Sequence, residues 1–293
     1  MRVSQLSLGE GNTPLIKSIK AELYLNQKLN LFFKMESANP TGTISDRGCA
    51  EFIESLKGSF VEGLTVYGDE ELSVSAGVYS ARAGRPVYLF FREGSWDEAC
   101  YYKIKKHDGI PVVVEGEHSE IKSILEEIEE GYPFIEIKYG SKFFYKGFLK
   151  FIDEIREEIN GEFKLFIGCS DKDIEKIELL QEVCIQEKVE LLACVETGSS
   201  YYKNSSIKNI VEIEKYESGE AGNVLKMEGI EYGKNEMLAF AAVQKRAESE
   251  EFFTEENIVI AVSREISSKQ NESYIIEKIP GTLEGFKRVM GLK

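Results

Sequence analysis

The stretch that decides the fold is Asn39-Pro40-Thr41-Gly42-Thr43-Ile44-Ser45-Asp46-Arg47-Gly48. Its Pro-Thr-Gly segment is typical of a turn, because Pro fixes φ and Gly tolerates backbone conformations that other residues avoid. Ser45 or Thr43 can cap a helix that Asp46 begins, and an acidic residue is favourable in the first helical turn. Arg47 can pair with an acidic neighbour. The stretch therefore predicts a tight turn that leads into a helix.

Two upstream segments extend this pattern: Leu8-Gly9-Glu10-Gly11-Asn12-Thr13-Pro14-Leu15 and the strand-like run Leu31–Glu36. Together with Asn39–Gly48 they resemble the N-terminus of threonine synthase, a pyridoxal phosphate (PLP) enzyme of fold type II. In that family the third segment reads Asn-Pro-Thr-Gly-Ser-x-Lys-Asp-Arg-Gly, and its Lys forms the Schiff base with PLP. Ser45 stands at that position here. A hydroxyl group cannot form an imine with an aldehyde, so the resemblance implies that the covalent link to the cofactor is absent.

Strand and helix patterns alternate along the rest of the chain, which is typical of an α/β fold with a parallel sheet and crossover helices. Strands are predicted at Leu64–Gly68, Pro86–Phe91, Ile110–Glu115, Lys164–Gly168, Glu190–Glu196 and Asn257–Ser263. Helices are predicted at Leu72–Ala83, Trp96–Lys106, His118–Glu130, Phe144–Asn160, Asp171–Lys188 and Glu231–Glu248. The resemblance implies the tryptophan synthase β-like fold, two three-layer αβα domains with mainly parallel sheets. It divides the chain into a larger domain of residues 1–43 and 143–293 and a smaller inserted domain of residues 44–142.

Composition excludes several classes of function. The net charge of −15 over 293 residues argues against nucleic acid or an anionic membrane as partner, since either needs clustered Lys and Arg. The sequence contains no apolar run long enough for a membrane span, and its N-terminus lacks the apolar core of a signal peptide. The five cysteines are widely spaced and the histidines number two, so no metal site is expected. We expect a cytoplasmic protein with reduced, mostly buried thiols.

The resemblance allows the cofactor loop before the first long helix to be compared. Tyr79-Ser80-Ala81-Arg82-Ala83-Gly84 matches the end of the family's helix, and the residues before it place Glu70 and Glu71 where the family has Gly and Asn. That Asn contacts the PLP ring hydroxyl. An ionised carboxylate cannot donate a hydrogen bond and repels a substrate carboxylate. The ordinary interpretation of Glu70 and Glu71 is an acidic helix start.

The phosphate cradle of the family follows the strand that ends here at Gly168, in a Gly-Asn-Gly-Gly turn whose N–H groups hold the phosphate. This chain continues with Cys169, Ser170 and Asp171, so only Gly168 of the cradle remains. Asp171 and Asp173 also add negative charge where the phosphate group is expected. Either Ser170 or Asp171 can serve as an ordinary helix N-cap.

Two further cofactor positions also differ from the family. The Pro-Ser pair of the family's Glu-Pro-Ser-Ser helix start is missing near Glu231, and Val259–Glu265 replaces the turn that faces the pyridine nitrogen. Ser263 still offers a hydroxyl there, but the glycines of the family's turn are lost and Arg264 follows. All of these differences fall at positions that hold PLP in the family. We therefore predict that the chain needs no cofactor.

Several residues carry alternative roles that the sequence leaves open. Lys34 or Lys172 can in principle replace the missing amine, although solvated or ion-paired lysines are far more common. Cys169, at a helix start, can be a reactive thiol or a passive one. The acidic residues at the altered positions can bind a cation if they converge; they are Asp69, Glu70, Glu71, Asp171 and Asp173.

Three functional hypotheses follow. The first is a threonine synthase-like pseudoenzyme without PLP, a binding or regulatory protein whose partner is a second copy, as the family commonly dimerises, or an active paralogue. The second is a PLP-dependent threonine synthase of amino-acid biosynthesis that converts O-phosphohomoserine to threonine with an unrecognised Lys. The third is unrelated chemistry in the altered cleft. We take the first as the working prediction, with no catalytic residue assigned.

Overall fold

A computed structural model describes residues 6–25, 29–95, 97–199, 201–249, 256–264 and 276–293. In chain order its strands are β1 (Leu15–Lys17), β2 (Asn30–Lys34), β3 (Gly63–Tyr67), β4 (Val87–Arg92), β5 (Ile110–Glu115), β6 (Phe134–Glu136), β7 (Phe163–Gly168), β8 (Glu190–Glu196), β9 (Ile210–Ile213), β10 (Asn257–Ala261) and β11 (Glu277–Pro280). Its helices are α1 (Ala21–Leu25), α2 (Ser45–Ser55), α3 (Glu70–Ala83), α4 (Glu98–Lys105), α5 (His118–Gly131), α6 (Lys142–Glu158), α7 (Ile174–Gln186), α8 (Lys215–Glu228), α9 (Lys234–Glu248) and α10 (Leu283–Met290).

The chain divides into two compact units, each built on one sheet. The five-stranded unit contains Ser45–Phe144 and the described ends of the chain, residues 6–8 and 276–293. The six-stranded unit contains Gly9–Ile44 and the described part of residues 145–264. Each unit is an α/β layer structure with a mainly parallel sheet, as the alternating pattern predicts.

The five-stranded sheet has the order β11-β5-β4-β3-β6, with every pair parallel. Its strands are rich in β-branched and aromatic residues, which suit a sheet covered on both faces. Phe90 of β4 and Phe286 of α10 form part of the core, with ring centroids 4.5 Å apart. The C-terminal helix is therefore packed into this unit.

The six-stranded sheet has the order β1-β2-β10-β7-β8-β9, in which only β1 runs antiparallel to its neighbour. Phe33, Phe166 and Phe240 are fully buried in its core. β7 and β10 lie side by side at the centre of this sheet, so the turns that follow them leave the same edge.

The domain boundaries differ from the sequence prediction at both ends of the described chain, since residues 6–8 also belong to the five-stranded unit. The limits of the inserted segment, Ser45 and Phe144, lie close to the predicted residues 44–142. Residues 276–293 were expected in the larger domain, but they belong to the five-stranded unit because β11 pairs with β5. The reason is a strand pairing between distant parts of the chain, which local patterns do not reveal.

The predicted elements are otherwise present with shifts of a few residues, and β5 and β8 have the predicted bounds. The sequence prediction omitted seven elements: β1, α1, β6, β9, α8, β11 and α10. Trp96 and Glu265, each at one end of a predicted segment, lie outside the described residues. No helix in the described part of the chain is long and apolar enough to cross a membrane.

Candidate functional site

Ser45 is the first residue of α2 and is fully buried. Its Oγ lies 2.8 Å from the Oη of Tyr139, which is itself 2% exposed. The Tyr139 ring contacts the Phe144 ring edge to face, with centroids 5.2 Å apart. The Ser45 hydroxyl is therefore part of an aromatic-lined interior of the five-stranded unit.

Asp46 follows Ser45 and is also fully buried. Its Oδ1 accepts a hydrogen bond of 2.6 Å from the Ser75 hydroxyl on α3. Burial raises the pKa of the nearby Cys49 thiol, the hydrogen bond with Ser75 opposes that rise, and the Asp46 charge adds to it. The Asp46 carboxylate thus serves to join α2 to α3, and Cys49 remains a protonated core thiol.

Gly48, on the same helix, is required by packing. A Cβ atom built at this position would lie 2.0 Å from Cδ1 of Phe144, well inside van der Waals contact. The last Gly of the Asn39–Gly48 segment therefore has a role in the core that needs no cofactor.

The loop before α3 forms an acidic helix start, as one interpretation predicted. Asp69 is the N-cap, and its side chain accepts a hydrogen bond of 2.6 Å from the Leu72 N–H. Glu70 and Glu71 occupy the first turn and are half-buried. Their negative charges lie at the positive end of the helix dipole, where they stabilise the helix.

In the six-stranded unit, Asn39 ties together the loops around β2. Its Nδ2 donates to Glu36 Oε2 at 2.7 Å and to the Thr43 carbonyl at 2.9 Å, while its Oδ1 accepts from the Gly11 N–H at 2.9 Å. The buried Glu36 carboxylate also accepts from the Thr13 hydroxyl at 2.6 Å. Asn39 is thus saturated by contacts within this unit.

Gly42 has a left-handed backbone conformation, with φ of +90°. Its carbonyl accepts the Arg264 N–H at 2.8 Å, and an added Cβ would lie 2.6 Å from Cβ of Arg264. The Arg264 guanidinium donates to the Ser37 carbonyl at 3.0 Å. Arg264 belongs to the segment that differs from the threonine synthase pattern. It packs on the turn at Gly42, which belongs to the segment that matches that pattern.

The turn after β7 is closed by the start of α9. A Cβ atom at Gly168 would lie 1.8 Å from the Asn235 carbonyl oxygen, so the two backbones are in direct contact. Ser170 stands at the N-cap of a short 3-10 turn, Asp171–Asp173, that leads into α7. Ser170 is thus the cap, as one of the two alternatives predicted; the Asp171 side chain lies outside the described residues.

Asp173 is the central group of this turn. Its Oδ2 accepts from the Ser170 N–H at 2.8 Å, the Ser170 hydroxyl at 2.7 Å and Asn235 Nδ2 at 3.3 Å. Its Oδ1 lies 2.6 Å from Nζ of Lys176, and both side chains are buried. Burial alone would raise the pKa of Asp173, but the Lys176 charge and the hydrogen bonds from Lys176 and Ser170 outweigh it and lower that pKa.

The turn after β10 has a similar arrangement. Glu236, 4% exposed on α9, accepts the Ser263 N–H at 2.9 Å through Oε1 and the Gly233 N–H at 2.8 Å through Oε2. Ser263 is half-buried beside it. Carboxylates of this chain thus accept backbone N–H groups beyond both central strands, β7 and β10.

The lysines proposed as replacement amines occupy different environments. Lys34 is fully buried, and its Nζ donates to the Thr13 carbonyl at 2.6 Å and lies 3.0 Å from a Glu154 carboxylate oxygen. Lys34 is therefore ion-paired. Lys172 is exposed on the 3-10 turn after Ser170.

Cys169 is buried, its N–H donates to the Cys194 carbonyl at 2.9 Å, and its Sγ lies 3.6 Å from the Ser170 carbonyl. All five cysteines are buried thiols. Burial also raises the pKa of Cys184 to about 12, despite the opposing charge of Arg156.

The predicted acidic residues divide between the units: Asp69, Glu70 and Glu71 in the five-stranded unit, Asp171 and Asp173 in the six-stranded unit. The described residues contain no group of three or more His, Cys, Asp or Glu side chains arranged to hold a metal ion. Asp173 is instead neutralised by Lys176.

Sequence reasoning missed the partners of these residues. Lys176 follows Asp173 by three positions, so helical spacing alone indicates the pair. Tyr139 lies 94 residues from Ser45, and Asn235 lies 62 residues from Asp173, so no local signal identifies either.

Comparison with known proteins identifies the family of this chain. Residues 6–171 match the profile of the family described as pyridoxal-phosphate dependent enzyme. The chain belongs to this family. A segment of 93 residues of this chain is 34% identical to threonine synthase from Bacillus sp. (strain ULM1). A segment of 89 residues is 36% identical to threonine synthase from Methanocaldococcus jannaschii. These segments cover 32% and 30% of this chain but only 26% and 22% of those two enzymes.

Solved structures of other proteins share the fold. Maize serine racemase matches 88% of this chain and 89% of its own length, with a TM-score of 0.73 at 14% identity. A hydrogen sulfide-producing enzyme from Fusobacterium nucleatum matches 91% of this chain and 98% of its own, with a TM-score of 0.71 at 15% identity. At this identity the likeness establishes the fold.

The residues at the positions that the resemblance assigns to the cofactor do not fit PLP by their chemistry. Ser45 offers a buried hydroxyl in place of an amine. The N–H and hydroxyl of Ser170 already donate to the Asp173 carboxylate, and Gly168 is covered by Asn235. A phosphate group at this turn would meet a like charge in place of open donors.

Proposed function

We propose that this protein is a non-catalytic member of the PLP family, a threonine synthase-like pseudoenzyme that acts as a binding or regulatory protein. The observation that carries the proposal is the buried pair of Ser45 and Tyr139, because the position of the Schiff-base Lys holds a hydroxyl that is hydrogen-bonded within the core. Asp173 supports it independently, since its carboxylate takes the donors of the phosphate turn.

The family's active members differ from this chain in one testable property. An amine that forms an imine with PLP gives an absorbing, borohydride-reducible adduct, whereas Ser cannot. We expect the purified chain to remain colourless after incubation with PLP and dialysis. After borohydride reduction, intact mass should show only the scattered, substoichiometric labelling that surface lysines of any protein acquire.

An active threonine synthase treated in parallel is the positive control. A single stoichiometric adduct that peptide mapping assigns to one Lys would overturn the proposal. It would favour the second candidate, a PLP-dependent threonine synthase, which the 34–36% identity to threonine synthases over part of the chain supports. Lys34 has little access for this role, because Thr13 and Glu154 already engage its amine.

The partner that we propose is a second copy of the chain or an active member of the family, in the cytoplasm. Light scattering on the purified chain tests self-association, and co-purification with an active threonine synthase tests the second possibility. The net charge of −15 makes nucleic acid and anionic membranes poor candidates. A monomer that leaves the active enzyme's oligomeric state and rate unchanged would contradict this part of the proposal.

A further inference from the structure

The Asp173 carboxylate has a complete set of donors. Oδ2 accepts from the Ser170 N–H, the Ser170 hydroxyl and the Asn235 amide, and Oδ1 pairs with the Lys176 ammonium. An ionised carboxylate offers about four lone-pair sites, so these donors saturate it. The group is held as a structural anion, because four donors stabilise its charge inside the protein.

The charge balance of the turn supports the same assignment. Asp173 and Lys176 are both buried, and a buried charge is tolerated only when it is paired and hydrogen-bonded. Removing either partner takes away a buried opposite charge from the other. Among the described side chains here, Asp173 is thus a buried anion and Lys176 is its buried cation.

The backbone around the turn leaves little room for a second anion. Gly168, where a bare backbone can approach a ligand, is instead in contact with the Asn235 backbone. The adjacent central strand, β10, ends in the same manner, with Glu236 accepting the Ser263 N–H. Internal carboxylates at two neighbouring turns indicate a consistent arrangement rather than one isolated substitution.

We propose that Asp173 is the resident anion of the turn between β7 and α7, and that this turn accepts an external phosphate-class anion only when the Asp173 carboxylate is removed. The inference deepens the proposed function, because it assigns the loss of the phosphate site to an intramolecular competitor. Lys176, Ser170 and Asn235 are the donors that Asp173 withholds from a ligand.

The test is thermal unfolding with inorganic phosphate, compared with chloride at equal ionic strength. Wild type should show no saturable gain in phosphate, only the gradual stabilisation that this excluded anion gives folded proteins in general. Asp173→Ala should unfold at a lower temperature in chloride and regain about 3–5 °C, saturably, in phosphate. Asp173→Ala combined with Lys176→Met should lose this phosphate-specific gain, because the ammonium that attracts the anion is gone.

Two outcomes overturn the inference: a saturable phosphate-specific gain in wild type that Lys176→Met abolishes, or a folded Asp173→Ala with no phosphate-specific gain. If Asp173→Ala does not fold, wild type is tested by NMR. The Asp173 carboxyl carbon and Lys176 ammonium nitrogen signals should stay in place as phosphate is added, and a saturable shift of both would overturn the inference.

The outcomes separate this inference from the proposed function. A PLP adduct at another Lys, with wild type indifferent to phosphate, would overturn the proposed function and leave Asp173 as the resident anion. Phosphate binding at the wild-type turn without a PLP adduct would overturn this inference and leave the proposed function standing.

Discussion

The Ser45 and Tyr139 hydroxyl oxygens lie 2.8 Å apart in the core of the five-stranded unit, although 94 residues separate them in the chain. Tyr139 lies between β6 and α6, and its ring is in edge-to-face contact with the ring of Phe144 on α6. The first residue of α2 is therefore held by a side chain from the connection between β6 and α6. Both residues are buried away from water, so this hydrogen bond replaces one that each hydroxyl would make to solvent.

This pair predicts a strong energetic coupling. Ser45→Ala and Tyr139→Phe should each lower the free energy of unfolding by about 1–2 kcal/mol, since each removes one partner of this buried hydrogen bond. The double variant should lose clearly less than the sum, because it removes both polar groups. Urea unfolding of the four proteins measures the cycle, and additive losses would show that the contact contributes nothing.

Much of the fold follows from local patterns. The alternation of apolar runs such as Ile110–Glu115 with amphipathic segments predicts the strand and helix order, because sheet and helix periodicities differ. The acidic residues at Glu70 and Glu71 predict the helix start that is observed. These features depend on residues within one or two turns of each other.

The missed features depend on distant residues. β11 has one buried apolar side chain, Ile279, and becomes a strand because β5 offers it an edge. Asn235 reaches Asp173 only after β7 and α9 have packed together. The sequence predicts negative charge at the phosphate turn, but the neutralisation of that charge is a property of the folded chain.

Gly48 predicts a steric variant that can be rescued. Gly48→Ala places a methyl group in the volume of the Phe144 ring and should cost about 1–3 kcal/mol of stability. Adding Phe144→Leu to this variant should recover part of the loss, although Phe144→Leu alone is destabilising. The free energies come from urea unfolding; a double variant as unstable as the sum would place the clash elsewhere.

Gly168 and Gly77 form a matched pair of substitutions with opposite expected signs. At Gly168 the new methyl group meets the Asn235 backbone, which cannot move aside as a side chain can, so Gly168→Ala should cost about 3 kcal/mol. Gly77 is inside α3 with no described atom within 4 Å of an added Cβ, so Gly77→Ala should stabilise the chain by about 0.5–1 kcal/mol. Equal effects in thermal unfolding would contradict the close approach of β7 to α9.

The cysteines should be unreactive in the folded protein. Burial raises the pKa of Cys49, Cys184 and Cys194, and the Cys169 thiol is buried against the Ser170 carbonyl. A thiolate is the reactive form, so Ellman's reagent should label native protein slowly and all thiols rapidly after denaturation. A single fast-reacting thiol that maps to Cys169 would support the alternative of a reactive cysteine at this helix start.

Asp173 predicts the pH dependence of stability. Its pKa is lower in the folded protein than in the unfolded chain, so its contribution is complete above the unfolded pKa of about 3.9 and is lost as the pH falls through the folded pKa. Asp173→Asn should therefore cost about 3–5 kcal/mol near neutral pH, because it removes the carboxylate charge that pairs with the buried Lys176 ammonium. Urea unfolding between about pH 3 and 7 should show this difference constant above about pH 5 and shrinking below about pH 4.

Asp153→Asn, at an exposed position on α6, is the matched control and should stay within about 0.5 kcal/mol of wild type throughout. A difference between wild type and Asp173→Asn that grows as the pH falls would mean that the folded protein holds Asp173 protonated, and would contradict its role as a structural anion.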